Sequence, residues 1–257
     1  MGNESKSVNF SEIIVDFSAV LIFLFLCLFS FNGCTQDSPL SDVDLEDPSL
    51  IKPDIQINKS ISSGTITFTT ITWLYDKNFN SIELKSGDVK MNNIKMTLKH
   101  GLNNEPYYVI EPFDLLPFQL NSAYECKITL SDGKIYSSSV VTRVKDLYQL
   151  NIPAEQPRNE DINVSWADAA NDRELVLTMV LTGRNDSSTI VDVQGFNISN
   201  PLTGNYLVSK SYFINRPEIN EAQFTLEAIN RGQINQSFMS SSKITSAISI
   251  TRTTKFK

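Results

Sequence analysis

Apolar residues in this chain follow two patterns. One is a single unbroken run, Val20 to Phe31. The other is alternation with period two, which recurs through most of the chain after residue 54 and predicts strands with one buried face. In Tyr124–Leu130 the even positions are Tyr124, Cys126, Ile128 and Leu130, and the odd ones are polar. Ser131-Asp132-Gly133-Lys134 follows, and its Asp-Gly pair predicts a tight hairpin turn because glycine accepts positive φ. Ile135–Val144 reads as the returning strand. Thr65–Tyr75 is β-branched and aromatic, with apolar residues at Ile66 and Phe68 and then at Ile71, Trp73 and Tyr75. That change of phase predicts a bulge near Thr69-Thr70. Ile162, Val164 and Trp166 alternate in a short strand. Leu175–Leu181 is apolar on both faces, as a central strand would be. Phe224, Leu226 and Ala228 alternate up to Asn230-Arg231-Gly232, and Ile244, Ile248 and Ile250 line one face of the last strand. No stretch of the body sustains a 3.6-residue period.

Short strands divided by turns every 8–15 residues or so predict an all-β fold of the sandwich type. The segment Ile152–Glu160 holds two prolines and no periodicity. It divides the body into 55–146 and 161–257, with 147–160 as a linker, and each part has the size of one immunoglobulin-like sandwich. Alternatively, the body is one larger sandwich and this segment a crossover.

Two resemblances agree with the first division. Val89-Lys90-Met91-Asn92-Asn93-Ile94, Tyr107-Tyr108-Val109-Ile110, Leu120–Tyr124 and Ser131–Tyr136 occur in the order of a strand, a turn, a strand and a hairpin. They resemble the immunoglobulin-like or transthyretin-like modules of bacterial surface lipoproteins, with Asn92-Asn93 in place of an Asn-Gly turn. Ile162-Asn163-Val164-Ser165-Trp166 resembles the opening of a fibronectin-type-III-like sandwich. Both resemblances imply a fold and no particular activity.

The run Val20–Phe31 is too short for a spanning helix, which needs about 20 residues, and it fits the ~7–15 of a secretory signal. It ends in Phe31-Asn32-Gly33-Cys34, which resembles the signal peptide and lipobox of bacterial lipoproteins. That resemblance implies a signal peptide over 1–33, lipid attachment at Cys34, and a membrane partner reached through the lipid. Residues 1–19 carry Glu4, Glu12 and Asp16 against Lys6, so the alternative is an uncleaved anchor beginning near Ile13. Lys6 occupies the position where a myristoylation signal needs Ser or Thr. Of the three cysteines, Cys27 would leave with the signal and Cys34 would be acylated. Cys126 would then stand alone, as a small apolar side chain inside a strand.

The formal net charge of −7 is unevenly placed. Residues 34–54 hold six acids and one lysine, whereas the acids and bases of 55–257 balance. Such an acidic, weakly apolar stretch predicts an extended flexible tether. It resembles the export signal that follows the lipidated cysteine in surface lipoproteins of the Bacteroidota, which implies the outer membrane and the cell surface. The alternative is a plain solvated spacer. Asp42, Asp44 and Glu46 do not form an EF-hand, because Asp47 and Pro53 occupy the glycine and closing-glutamate positions. The neutral body predicts no nucleic-acid binding.

Candidate chemistry is sparse. His100 is the only histidine and precedes a turn. Ser-x-x-Lys at Ser131–Lys134 and Ser240–Lys243 lacks the companion motifs of penicillin-recognising enzymes. Neither zinc spacing nor a glycine-rich phosphate loop occurs, so no cofactor is expected. Glu105 and Glu111 flank Pro106-Tyr107-Tyr108, and Tyr107, Tyr108 and Glu111 form the candidate carbohydrate site; alternatively, the tyrosines are ordinary strand residues. The segment Glu111–Phe118, apolar and rich in proline, is either a loop that grips a partner or one packed over a sandwich edge. The first expectation is a lipid-anchored, non-catalytic module with a protein or glycan partner. The second is a surface-assembly subunit joined by strand exchange through Lys243–Lys257. The third is a glycoside hydrolase using a carboxylate pair.

Overall fold

The computed structural model describes residues 39–42, 44–101, 103–147, 149–167, 174–185, 188–198 and 204–257. The expected signal peptide and Cys34 lie outside the described residues.

The first module contains β1 (Lys52–Ser62), β2 (Thr65–Tyr75), β3 (Asp88–Met91), β4 (Ile94–Lys95), β5 (Thr97–His100), β6 (Pro106–Val109), β7 (Ala123–Thr129) and β8 (Ile135–Val141). One sheet runs β1-β2-β6-β5, and a second runs β4-β3-β7-β8. This is the A-B-E-D and C′-C-F-G order of an immunoglobulin-like sandwich. Tyr124 supplies that fold's tyrosine corner: its hydroxyl donates to Pro117 O and accepts from Gln119 N, both at 2.8 Å. Ile55, Ile57, Leu74, Met91, Cys126 and Ile128 fill the space between the sheets.

The second module contains β9 (Leu150–Asn151), β10 (Glu155–Gln156), β11 (Ile162–Trp166), β12 (Glu174–Asn185), β13 (Ser188–Asn197), β14 (Asn205–Val208), β15 (Ile219–Arg231) and β16 (Lys243–Phe256). Three strands, β14-β11-β9, face β13-β12-β15-β16, the three-on-four arrangement of a fibronectin-type-III-like sandwich. Trp166, Leu177, Phe224, Leu226 and Ile248 build its core. The protein is therefore all-β, with two β-sandwich modules.

The modules share a sheet. β1 pairs in parallel with β16, from Asp54↔Lys243 to Ser62↔Thr251, which fuses one sheet of each module into a single nine-stranded sheet. The joint is reinforced on the opposite side. Ser139 and Gln233 exchange backbone hydrogen bonds at 2.9 and 2.7 Å, Asn230 Nδ2 donates to Val141 O, and Phe118 packs against both cores.

Three expectations are corrected. The acidic segment is not a free tether from residue 39 onward. Leu45 and Ile51 are buried in the first core, Ser41 Oγ accepts from Glu83 N, and Asp47 caps the turn at Pro48–Leu50. The few apolar residues of this segment are enough because they enter an existing core rather than build one. The linker 147–160 is instead the first strand of the second module, split between two sheets. β9 pairs with β11 and β10 with β16, and the switch falls at Ile152-Pro153-Ala154, where proline offers no ladder donor. β2 contains no bulge in its pairing with β1, because the register is continuous from Ser62↔Thr65 to Lys52↔Tyr75. The expected Asp-Gly hairpin joins β7 to β8, with Gly133 at positive φ (+78°). Gly133 N bonds Leu130 O, so the turn closes through a glycine bulge. Asn92-Asn93 forms a primed turn, with both residues at positive φ (47° and 64°).

Candidate functional site

Side chains alternate across a strand, so one set on each strand of the shared sheet faces the cores. The outward set is exposed only in places: Ile71 and Val109, on the outward phase of β2 and β6, are buried as well. In β2 the inward set is Thr70, Thr72 and Leu74, all buried. Trp73 and Tyr75 therefore face outward and are partly exposed. Tyr107 does the same on β6. Cross-strand register aligns Lys243, Asp54, Trp73, Tyr107 and Lys99 in one row over β16, β1, β2, β6 and β5.

The row is ordered by its own contacts. The Trp73 and Tyr107 rings lie 6.4 Å apart between centroids and are tilted by 36°. Lys243 Nζ sits 3.0 Å from Asp54 Oδ2 at one end. Lys99 Nζ sits 2.8 Å from Glu111 Oε2 at the other, and the bond to that carboxylate raises the Lys99 pKa. Along β1, Asn58 Nδ2 donates to Gln56 Oε1 (3.4 Å) and Gln56 Nε2 to Asp54 Oδ1 (3.2 Å). Next to the row, the Phe113–Leu115 turn packs against β2. Leu116 and Phe118 anchor this segment on the cores, whereas Phe113 and Leu115 remain exposed. The segment thus packs and displays at once.

Of the three residues in the expected carbohydrate site, the structure brings only Tyr107 and Glu111 to this face. Tyr108 points the other way, into the core. Its hydroxyl accepts from Leu84 N at 2.8 Å, and burial pushes its pKa up to about 12. Trp73 is the residue that sequence reasoning missed. Its apolar phase marks it as inward, but the inward phase of β2 is occupied by two threonines. One of them, Thr72, satisfies its hydroxyl by donating to Met96 Sδ at 3.6 Å.

The remaining candidates are engaged elsewhere. Glu105 and Glu111 are six residues apart along an extended segment, about 20 Å between Cα atoms, while glycosidase carboxylates stand ~5–9.5 Å apart. His100 ends β5, with Nε2 3.2 Å from Glu83 Oε2. Cys126 is fully buried, and desolvation pushes its thiol up to about 12, far from the thiolate range of a nucleophile. Ser131, in the hairpin turn, donates its hydroxyl to Leu45 O of the segment before β1 at 2.7 Å. β16 is flanked by both β15 and β1 over most of its length, so Lys243–Lys257 is an internal strand rather than a free arm.

No protein-family model matches the chain, and no curated protein matches it. Among solved structures, the chicken CNTN1 FN1-FN3 domains are similar at 11% identity, over 82% of this chain and 67% of that one, with a TM-score of 0.21. The sandwich assignment rests on the strand order and register described above.

Proposed function

We propose that this chain is a lipid-anchored, non-catalytic binding module of a bacterial outer membrane, held through Cys34 and facing the cell surface. The observation that carries the binding part is the outward row of the shared sheet. Partly exposed aromatic rings are held there between two ion pairs on a frame made rigid by two cores. The non-catalytic part is supported by the placement of the carboxylate, histidine and thiol candidates, each of which is separated, paired or buried. The anchor is supported by the run Val20–Phe31 and the lipobox resemblance at Cys34.

Cys34→Ser tests the anchor. The wild-type protein should incorporate labelled palmitate and sediment with the outer membrane, and protease should shave it from intact cells. The variant should lose the label and accumulate at the larger mass of the uncleaved precursor. A wild type that takes up no label, or a variant of unaltered mass and location, would refute the anchor.

A further inference from the structure

The outer row also indicates what kind of ligand it would hold. We infer that the Trp73–Tyr107 face binds an uncharged polysaccharide chain lying across the strands, an inference that rests on the binding-module reading above.

Three observations narrow the ligand. The first is charge. In the row and beside it Lys243 pairs with Asp54 and Lys99 with Glu111, and Lys52, over the Phe79 ring, is the one further charge on that face of β1. A nearly balanced platform gives a charged polymer little net potential to follow. The second is relief. Beside the rings the outward positions of β1 and β16 are short: Gln56, Asn58 and Ser60 beside Thr245, Ala247 and Ser249. A stable protein interface buries about 800 Å² per partner and relies on large anchors seated in deep pockets. The third is the mixture of surfaces. Two neighbouring, partly exposed rings supply apolar area for the C–H faces of sugar rings, and amphipathic rings of this kind suit ligands that are apolar on one side and wet on the other. The Asn58–Gln56–Asp54 row lies alongside and offers fixed amide and carboxylate groups to hydroxyls. Because its members already bond one another, their geometry is set before a ligand arrives, which lowers the ordering cost of binding. Two rings side by side across β2 and β6 call for more than one sugar unit, hence a chain.

The test uses the full-length protein in detergent, run on native gels cast with single polymers. The uncharged set is galactomannan, xyloglucan, β-1,3-glucan, hydroxyethyl cellulose and starch, and polygalacturonate serves as the charged control. At least one uncharged polymer should retard the protein, and polygalacturonate should not. Trp73→Ala and Tyr107→Ala should each weaken that retardation roughly tenfold, the scale of one lost aromatic contact. Lys127→Ala, on the opposite sheet, should leave it unchanged. Binding should also shield Trp73 from acrylamide, a readable signal because the other tryptophan, Trp166, is only 6% exposed. Trp73→Phe keeps an aromatic face and should retain most of the binding, which separates loss of contact from loss of fold. Equal retardation of the wild type and both alanine variants would overturn the platform and leave a binding module with its site elsewhere. No retardation by any uncharged polymer would overturn the ligand class. In that case a photo-crosslinking residue at Lys99 that captures an envelope protein would preserve the binding-module reading, and no capture would remove it as well.

Discussion

Gly232→Ala is expected to destabilise the protein by about 3–5 kcal/mol, while Gly195→Ala should change stability by less than about 1 kcal/mol. The difference lies in what a methyl group would meet. A Cβ on Gly232 would fall 2.2 Å from Ser139 O and 2.6 Å from Val140 Cβ, which belong to β8 of the other module. The contact is backbone against backbone, so no side chain can rotate away, and forced overpacking alone costs ~1–3 kcal/mol. Moving the strand apart also loosens the paired hydrogen bonds of Ser139 with Gln233, worth about 1 kcal/mol each. A Cβ on Gly195, at the sheet edge in β13, meets nothing within 4 Å, and replacing a strand glycine with alanine is neutral or mildly stabilising there. Denaturant titration of both variants against wild type measures the contrast. The Gly232 variant should also widen or split its transition, because the damage falls between the cores rather than inside one.

Breaking the Lys59–Asp146 pair from either side is expected to cost about 3–5 kcal/mol, the usual range when one partner of a desolvated ion pair is left behind. Lys59 lies on the inward face of β1 opposite Ile248, and Asp146 sits in the connection between the modules. Their side chains are only 12% and 14% exposed. Lys59→Met or Asp146→Ala alone strands a charge at the joint. The double variant removes both charges, so its cost should fall well below the sum of the singles. The Lys134–Asp132 pair provides the contrast: it has the same charges, but its lysine is 71% exposed, and breaking such a pair costs ~0–1 kcal/mol. A double-mutant cycle at each site measures the coupling directly. Equal couplings at the two sites would show that burial at the joint has no energetic consequence.

Local structure was legible where one face of a strand is buried and the other wet. Ile162, Val164 and Trp166 are buried as their alternation predicts. Tyr124, Cys126 and Ile128 point inward together. Leu175–Leu181 lies in a strand flanked on both sides, as its double apolar face indicates. The pattern misled where threonine took an inward position, as in β2, because a threonine hydroxyl can be satisfied inside while a tryptophan ring remains half outside. It also misled where few apolar residues suffice. Leu45 and Ile51 fasten an acidic segment that has the composition of a tether, and Leu147 and Leu150 do the same for a supposed linker. The candidate site was half legible. Tyr107 and Glu111 share a face by register, but Trp73 joins them only through pairing between β2 and β6. The central feature of the fold leaves no local trace at all. β1 and β16 are nearly 190 residues apart in sequence, and nothing in either strand names the other as its neighbour.

That pairing is also the feature most directly open to measurement. Ser60 and Ser249 face outward on adjacent strands, with their hydroxyl oxygens 3.0 Å apart, and neighbouring strands place Cα atoms within the 4.4–6.8 Å that a disulfide spans. Ser60→Cys combined with Ser249→Cys should cross-link completely on mild oxidation, and the product should be identified as one disulfide-linked peptide pair by mass spectrometry. If both engineered thiols instead stay free and alkylatable in the folded protein, β1 and β16 are not neighbours, and two separate sandwiches replace the single shared sheet.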